Sequence, residues 1–172
     1  MNFLDLHLML NHIPVLGVVF GFVIGLAGAL ARSRAATRVG LGTLVFSALI
    51  AVPVYLTGDT AEEIVEGLPG VTESFIHQHE SAATLSLILV GVSGVFALAA
   101  LIFGRALTSK VPGYLISATM LVTVVTGASM IRTANLGGQI RHTEIRGTAN
   151  GDQTTTSDTA GQEKTTEADD DD

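Results

Sequence analysis

The 172-residue sequence contains no cysteine and no tryptophan, and the missing thiols exclude several kinds of site at once. Without cysteine the chain has no disulfide, no iron–sulfur cluster, no thiolate zinc site and no covalently attached c-type haem. Any metal or haem has to be held by histidine, methionine or oxygen ligands. The sequence also lacks a catalytic triad, a nucleophile elbow, a nucleotide-binding loop and a basic nucleic-acid patch. We therefore expect neither a soluble type of enzyme nor a nucleic-acid-binding protein.

Acidic residues outnumber basic ones, but the net charge of the chain says little about the part that precedes the acidic tail. The formal charge is −7, and eight of the 16 acidic residues lie in residues 148–172. This segment has no aromatic or large aliphatic residue, so we predict a disordered acidic tail. The first residues lack the basic region of a secretory signal, and the first apolar run is therefore interpreted as retained.

Long apolar runs dominate the remainder of the chain. Of all residues 48% are hydrophobic, and the mean hydropathy is +0.50. Roughly 20 apolar residues in a helix cross a hydrocarbon core of about 30 Å, and four runs approach or reach this length: 13–31, 39–56, 82–103 and 111–131. We therefore predict an all-α fold, an integral membrane four-helix bundle formed by residues 1–147.

The charges between the runs predict the orientation of the bundle. Residues 32–38 carry three arginines and the connection after the third run carries Arg105 and Lys110, whereas 58–80 carries six acids and no lysine or arginine. By the positive-inside rule both termini are extracytoplasmic, in a multi-pass protein of the cytoplasmic (inner) membrane. Three arginines after the fourth run disagree with this orientation, and we give the two short basic connections more weight: Arg132, Arg141 and Arg146.

Small and hydroxyl residues predict how the helices pack. The first run has four glycines on one side, which is typical of a seam where another backbone approaches closely: Gly17, Gly21, Gly25 and Gly28. The fourth run has a weakly polar stripe, which we expect to face one neighbouring helix: Thr119, Thr123, Thr126, Met130 and Thr133.

Turn and capping residues predict the outer connections. Thr60 with Glu63 forms a capping box that predicts a short interfacial helix, which Gly67 and Pro69 would end. Thr72 is the predicted N-cap of the third helix. After the fourth run a Gly-Gly turn is expected to fold Arg141 and His142 back over the outer mouth.

All five histidines fall at the predicted outer end of the bundle: His7, His12, His77, His79 and His142. His12 and His79 lie close to the start of an apolar run, where an ionisable residue usually faces the bundle interior or a water-filled cavity. His77 and His79 differ by about 200° around a helix, so one of them must face outward.

A pair formed by His12 and His79, from two helices at matching depth, is the simplest arrangement across the bundle. Two facing imidazoles complete both axial positions of a b-type haem, with Met130 as an alternative axial ligand. A metal ion held by His12, His79 and Glu80 is a second reading, and a quinone site is a third. Alternatively, the histidines only hydrogen-bond loop carbonyls and amides such as Asn11. The residues themselves leave these possibilities open.

Four segments carry a resemblance to a known group: residues 6–17, 57–63, 79–80 and 135–142. The sequence resembles uncharacterised bacterial four-helix membrane proteins over residues 3–146, and that group is similar to a wider membrane domain of unknown function that begins with a His-x-Pro motif. The matching positions are His12, Pro14, His79, Glu80 and His142. Because domains of the wider family occur beside Rieske or cytochrome c modules, the resemblance implies a place in membrane electron transfer, with a respiratory or other redox membrane complex as partner.

Two functions follow as expectations. The first is a small electron-transfer subunit in the lipid bilayer with a b-type haem near the outer face, where Glu80 or His142 handles protons. The second is a non-catalytic membrane subunit or assembly factor that binds partner proteins without a cofactor. A haem protein should leave a slot floored by small residues such as Ala83 or Ser86, whereas a ligand-free bundle should fill that space.

Overall fold

A computed structural model describes residues 3–106, 113–142 and 146. They form five helices and no strand: α1 (Phe3–Leu10), α2 (His12–Leu30), α3 (Arg34–Glu66), α4 (Glu73–Ala106) and α5 (Gly113–Arg141). Lys110 and the predicted tail, 148–172, lie outside the described residues.

Four stretches of helix are long and apolar enough to cross a membrane: Leu4–Leu30, Arg34–Glu66, Glu73–Gly104 and Gly113–Arg141. The first of them contains both α1 and α2, because the backbone N–H of Asn11 donates to the carbonyl of His7 at 2.9 Å and carries the helical hydrogen bonding across the junction. The chain thus fits a multi-pass membrane protein with an all-α four-helix arrangement, as predicted.

Helices that follow one another in sequence pack side by side. α2 packs on α3, α3 on α4 and α4 on α5, and a contact between α2 and α5 closes the bundle. The short α1 lies mainly against α3.

The predicted glycine seam is confirmed where α2 meets α3. Gly21, Gly25 and Gly28 are buried, and Gly40 of α3 lies opposite them. A β-carbon at Gly40 would overlap the backbone of Gly25, so the two helices approach more closely than any larger residue would allow.

Most of the predicted polar stripe of the fourth run is buried, and its members Thr126 and Thr133 bond α4. The hydroxyl oxygens of Ser93 and Thr126 lie 2.8 Å apart, and Ser86 bonds Thr133 in the same way at 2.9 Å. Each threonine hydroxyl also bonds a carbonyl of its own helix, which satisfies the buried donor where no water is present.

Two predicted helix boundaries are wrong: the start of a separate helix at Thr60 and the turn at the Gly-Gly pair. The expected interfacial helix is the last part of α3, which runs without a break through Pro53 to Glu66 and ends before Gly67 as predicted. Continuing the helix keeps the backbone groups around Thr60 hydrogen-bonded, whereas a new N-cap there would leave several of them unpaired.

The Gly-Gly pair after the fourth run makes no turn either, because α5 continues through Gly137 and Gly138 to Arg141. The carbonyls at the end of α5 accept from the side chain of Arg146, at 2.6 Å for Gln139 and 2.7 Å for Ile140. These bonds satisfy carbonyls that a helix end otherwise leaves unpaired.

Candidate functional site

All five histidines of the chain lie where α1, the second half of α3, the start of α4 and the end of α5 meet, and we call this region the histidine end. His7 and His79 are held between helices by bonds to another element. These two residues define the candidate site.

His7 fixes α1 to α3. Its Nδ1 lies 3.0 Å from the carbonyl oxygen of Val54 and 3.3 Å from the hydroxyl of Thr57. The ring lies over Gly58, where an added β-carbon would be 3.6 Å from Cε1. A carbonyl oxygen only accepts hydrogen bonds, so Nδ1 carries a proton, and when the ring is neutral Nε2 keeps its lone pair.

His79 repeats this arrangement between α4 and α5. Its Nδ1 lies 3.0 Å from the carbonyl oxygen of Thr133, and its half-buried ring lies against Gly137. A β-carbon at position 137 would come within 3.0 Å of Cε1 and 3.1 Å of Nδ1. The glycine therefore makes the room that the ring occupies, and Nε2 again carries the lone pair.

Each ring donates Nδ1–H to a backbone carbonyl, which is the bond that orients histidine ligands in metal sites. The arrangement thus offers two oriented nitrogen lone pairs, from α1 and from α4, at the same end of the bundle.

Asn11 adds an unused acceptor beside this pair. It lies one helical turn after His7, on the same side of the chain, and its Oδ1 is buried without a hydrogen-bond partner among the described residues. A buried acceptor without a donor is costly, and this oxygen is free to bind a ligand, an ion or water.

His12, which the sequence analysis paired with His79, lies outside the bundle. Its side chain is exposed, and its Nδ1 lies 3.3 Å from the carbonyl oxygen of Leu8, one turn earlier. His7 and His12 are about 140° apart on a continuous helix, so a helix that turns His7 inward turns His12 outward. The inward histidine of this segment is His7.

The spacing of the buried residues along α2 is a sequence signal that points to His7. Followed backward at spacings of three and four residues, the buried side of α2 passes through Val18 and Pro14, and the same spacing leads to Asn11 and then His7. Proximity to the apolar run favoured His12, but the periodicity of the buried face selects His7.

His77 is exposed, with its Nδ1 3.4 Å from a carboxylate oxygen of Glu80, so it is the member of the His77–His79 pair that faces outward. The set His12, His79 and Glu80 is not assembled, since the described residues contain no group of three or more metal-ligating His, Asp or Glu residues.

The remaining predicted site residues lie apart from the two imidazoles. Met130 is buried in a hydrophobic cluster with Val18, Ala51 and Val90. Arg141 and His142 are exposed at the end of α5. Below His79, Ser86 is buried and bonded to α5, so its hydroxyl is used for helix packing.

Two cavities open near the histidine end, on other faces than the imidazole pair. The larger has a volume of about 570 Å³ and is lined by Glu73, Ser74, His77, Gln78, Ser81 and Arg132. The smaller, of about 350 Å³, is lined by Glu66, Val71, Glu73 and Ile76. Neither is lined by His7 or His79.

Comparison of the chain with known protein families, with curated proteins and with solved structures finds no match. The resemblance to the His-x-Pro membrane domain therefore stays a prediction.

Proposed function

We propose that this chain is a small integral membrane electron-transfer subunit that binds a b-type haem through His7 and His79. The observation that carries the proposal is the shared bonding of the two rings: each Nδ1 is bound to a carbonyl of a neighbouring helix, and each Nε2 remains available. Two neutral imidazoles presented from different helices are the axial ligand set of b-type cytochromes.

The donor chemistry of the site fits a haem. The bonds to Val54 and Thr133 keep Nδ1 protonated, which directs the lone pair of each ring to Nε2, and they restrict rotation of the rings. When bound, the haem iron would supply one-electron transfer between its ferric and ferrous states. The protein would supply orientation and partial exclusion of water.

Room for the macrocycle is not supplied by the two cavities, since neither of them is lined by His7 or His79. A haem between the rings would need the helices that carry them to move apart while His7 keeps its bond to Val54 and His79 keeps its bond to Thr133. Because α1 packs mainly on α3, α1 would move together with α3.

A single metal ion is the second candidate, and the buried oxygen of Asn11 favours it. Two imidazole nitrogens and an amide oxygen suit zinc, copper or iron, and an ion needs no slot. This candidate uses the same histidines, so variants alone do not separate it from haem, whereas the absorbance spectrum does.

The test is a dithionite-reduced minus air-oxidised absorbance spectrum of protein purified in detergent from cells supplied with haem. We expect sharp Soret and alpha bands that disappear in His7→Ala and His79→Ala and persist in the exposed controls His12→Ala and His77→Ala. Retention of the bands in all four variants would overturn the assignment of the ligands.

Elemental analysis of the same samples separates the remaining outcomes. A flat spectrum with one equivalent of metal that is lost in His7→Ala supports the metal ion. A flat spectrum without metal rejects both candidates and leaves the subunit that binds partner proteins without a cofactor.

A further inference from the structure

The larger cavity lies between α4 and α5, on a face that the proposed haem site does not use. The residues that line it carry a carboxylate, a guanidinium, an imidazole, an amide and two hydroxyls: Glu73, Ser74, His77, Gln78, Ser81 and Arg132. It is an open hollow on the surface of the bundle, with a volume of about 570 Å³. All six side chains belong to exposed residues, so the cavity opens to the surroundings of the bundle.

The cavity lies at the depth where a bilayer changes from hydrocarbon to headgroups. Ser81 directly precedes the apolar run 82–103, and Arg132 directly follows the apolar run 111–131. On α4 the positions one, two and three turns below Ser81 are exposed and apolar: Leu85, Ile88 and Val92. A molecule whose polar headgroup lies in the cavity would therefore place its apolar part against these three side chains.

Two charged side chains in the cavity, Glu73 and Arg132, have no charged partner among the described residues. Among the described residues, neither the guanidinium of Arg132 nor the carboxylate of Glu73 has an ion-pair or hydrogen-bond partner, whereas His77 is next to Glu80. Glu73 begins α4 and Ser81 lies two turns further into it, so the acid is the outer charge and the guanidinium is level with the hydrocarbon boundary.

We propose that this cavity binds the headgroup of a zwitterionic phospholipid that carries a primary ammonium group. The phosphate accepts hydrogen bonds from the guanidinium of Arg132 and the hydroxyl of Ser81 at the hydrocarbon boundary. The ammonium group forms an ion pair with the carboxylate of Glu73, further from the hydrocarbon. One acyl chain packs against Leu85 and Ile88. A lipid whose headgroup carries only negative charge fits less well, because the carboxylate of Glu73 repels it.

Native mass spectrometry of the full chain in detergent tests the proposal, with phosphatidylethanolamine and phosphatidylglycerol of equal chain length added in turn. We expect wild-type protein to retain phosphatidylethanolamine preferentially. Arg132→Gln should lower the retained fraction of this lipid about fivefold, as expected for loss of a partly exposed charge contact. Arg38→Gln, an exposed arginine at the other end of the bundle, is the matched control and should change nothing.

Glu73→Gln distinguishes the zwitterion from any phosphate group. This variant should lose the preference for phosphatidylethanolamine while still binding phosphatidylglycerol. Equal retention of both lipids by the wild type, or unchanged retention in Arg132→Gln, would overturn the proposal. Because the cavity shares no residue with His7 or His79, the haem proposal and the lipid proposal stand or fail separately.

Discussion

The imidazole of His79 in α4 lies directly against Gly137 in α5, so close that a β-carbon at position 137 would stand 3.1 Å from Nδ1. The same Nδ1 bonds the carbonyl of Thr133, one turn earlier in α5. One helix thus supplies both the acceptor that orients the ring and the gap that receives it.

Gly137→Ala should therefore displace the ring of His79. The added carbon forces the ring to move by a few tenths of an ångström, which weakens the bond to Thr133. We expect a net loss of about 1 kcal/mol or less in the free energy of unfolding, because alanine recovers up to about 1 kcal/mol of helix propensity. Gly127→Ala is the control on the same helix, since a β-carbon at position 127 meets nothing within 4 Å, and it should be neutral or stabilising.

Ligand binding should be more sensitive than stability to Gly137→Ala. If His79 binds haem or a metal, the displaced ring lowers occupancy, and second-sphere changes of this kind typically cost about 10- to 100-fold in affinity. Titration of haem or metal into ligand-depleted protein, followed by absorbance, measures this. Equal affinity in Gly137→Ala and Gly127→Ala would contradict the role given to the His79–Gly137 contact.

Gly40→Ala should separate α2 from α3. The new β-carbon would meet the backbone of Gly25, which has no flexible side chain to move aside, so the helices themselves must shift. We expect a loss of about 1–3 kcal/mol, as for other overpacked interiors. Thermal unfolding monitored by size-exclusion chromatography in detergent measures it.

Gly42→Ala is the matched control for the seam. Position 42 lies two residues further along α3, and a β-carbon there meets nothing within 4 Å. If the midpoint temperature of unfolding is as high for Gly40→Ala as for Gly42→Ala, the close approach of α2 and α3 does not depend on the absence of a side chain at position 40.

The hydroxyl pair of Ser93 and Thr126 should contribute a measurable coupling between α4 and α5. Both side chains are buried, and their oxygens lie 2.8 Å apart. Hydrogen bonds between membrane helices average about 0.6 kcal/mol and reach about 1.7 kcal/mol, so a double-mutant cycle with Ser93→Ala and Thr126→Val should give a coupling in this range. A coupling of zero would mean that the bonds of Thr126 to its own helix satisfy it fully.

The absence of cysteine makes the predicted orientation directly measurable. Thr72→Cys, in the exposed connection between α3 and α4, should react with a membrane-impermeant maleimide in intact cells. Ala35→Cys, exposed at the start of α3, should react only after the membrane is permeabilised. The opposite pattern would invert the topology and give more weight to the arginines that follow the fourth apolar run.

The sequence by itself determined the helices and much of their packing. Four apolar runs of sufficient length predict four long helices, because backbone groups in hydrocarbon must be bonded within their own segment. The glycines of the first run predict the close approach at Gly25 and Gly40, and the threonines of the fourth run predict a polar face toward one neighbour. These predictions use the composition of each run and the spacing of its residues, which are properties of the local sequence.

Only the tertiary structure decided where the helices end and which histidines meet. Thr60 and Gly137 look like boundaries in the sequence, yet α3 and α5 continue through both. At Gly137 the contact that explains the glycine comes from His79 on another helix. The choice between His7 and His12 likewise depended on how α1 is rotated against α3, a rotation fixed by the bonds of His7 to Val54 and Thr57. Long-range contacts of this kind leave no local signal, since the partners lie about 50 residues apart and are brought together only by the packing of the bundle.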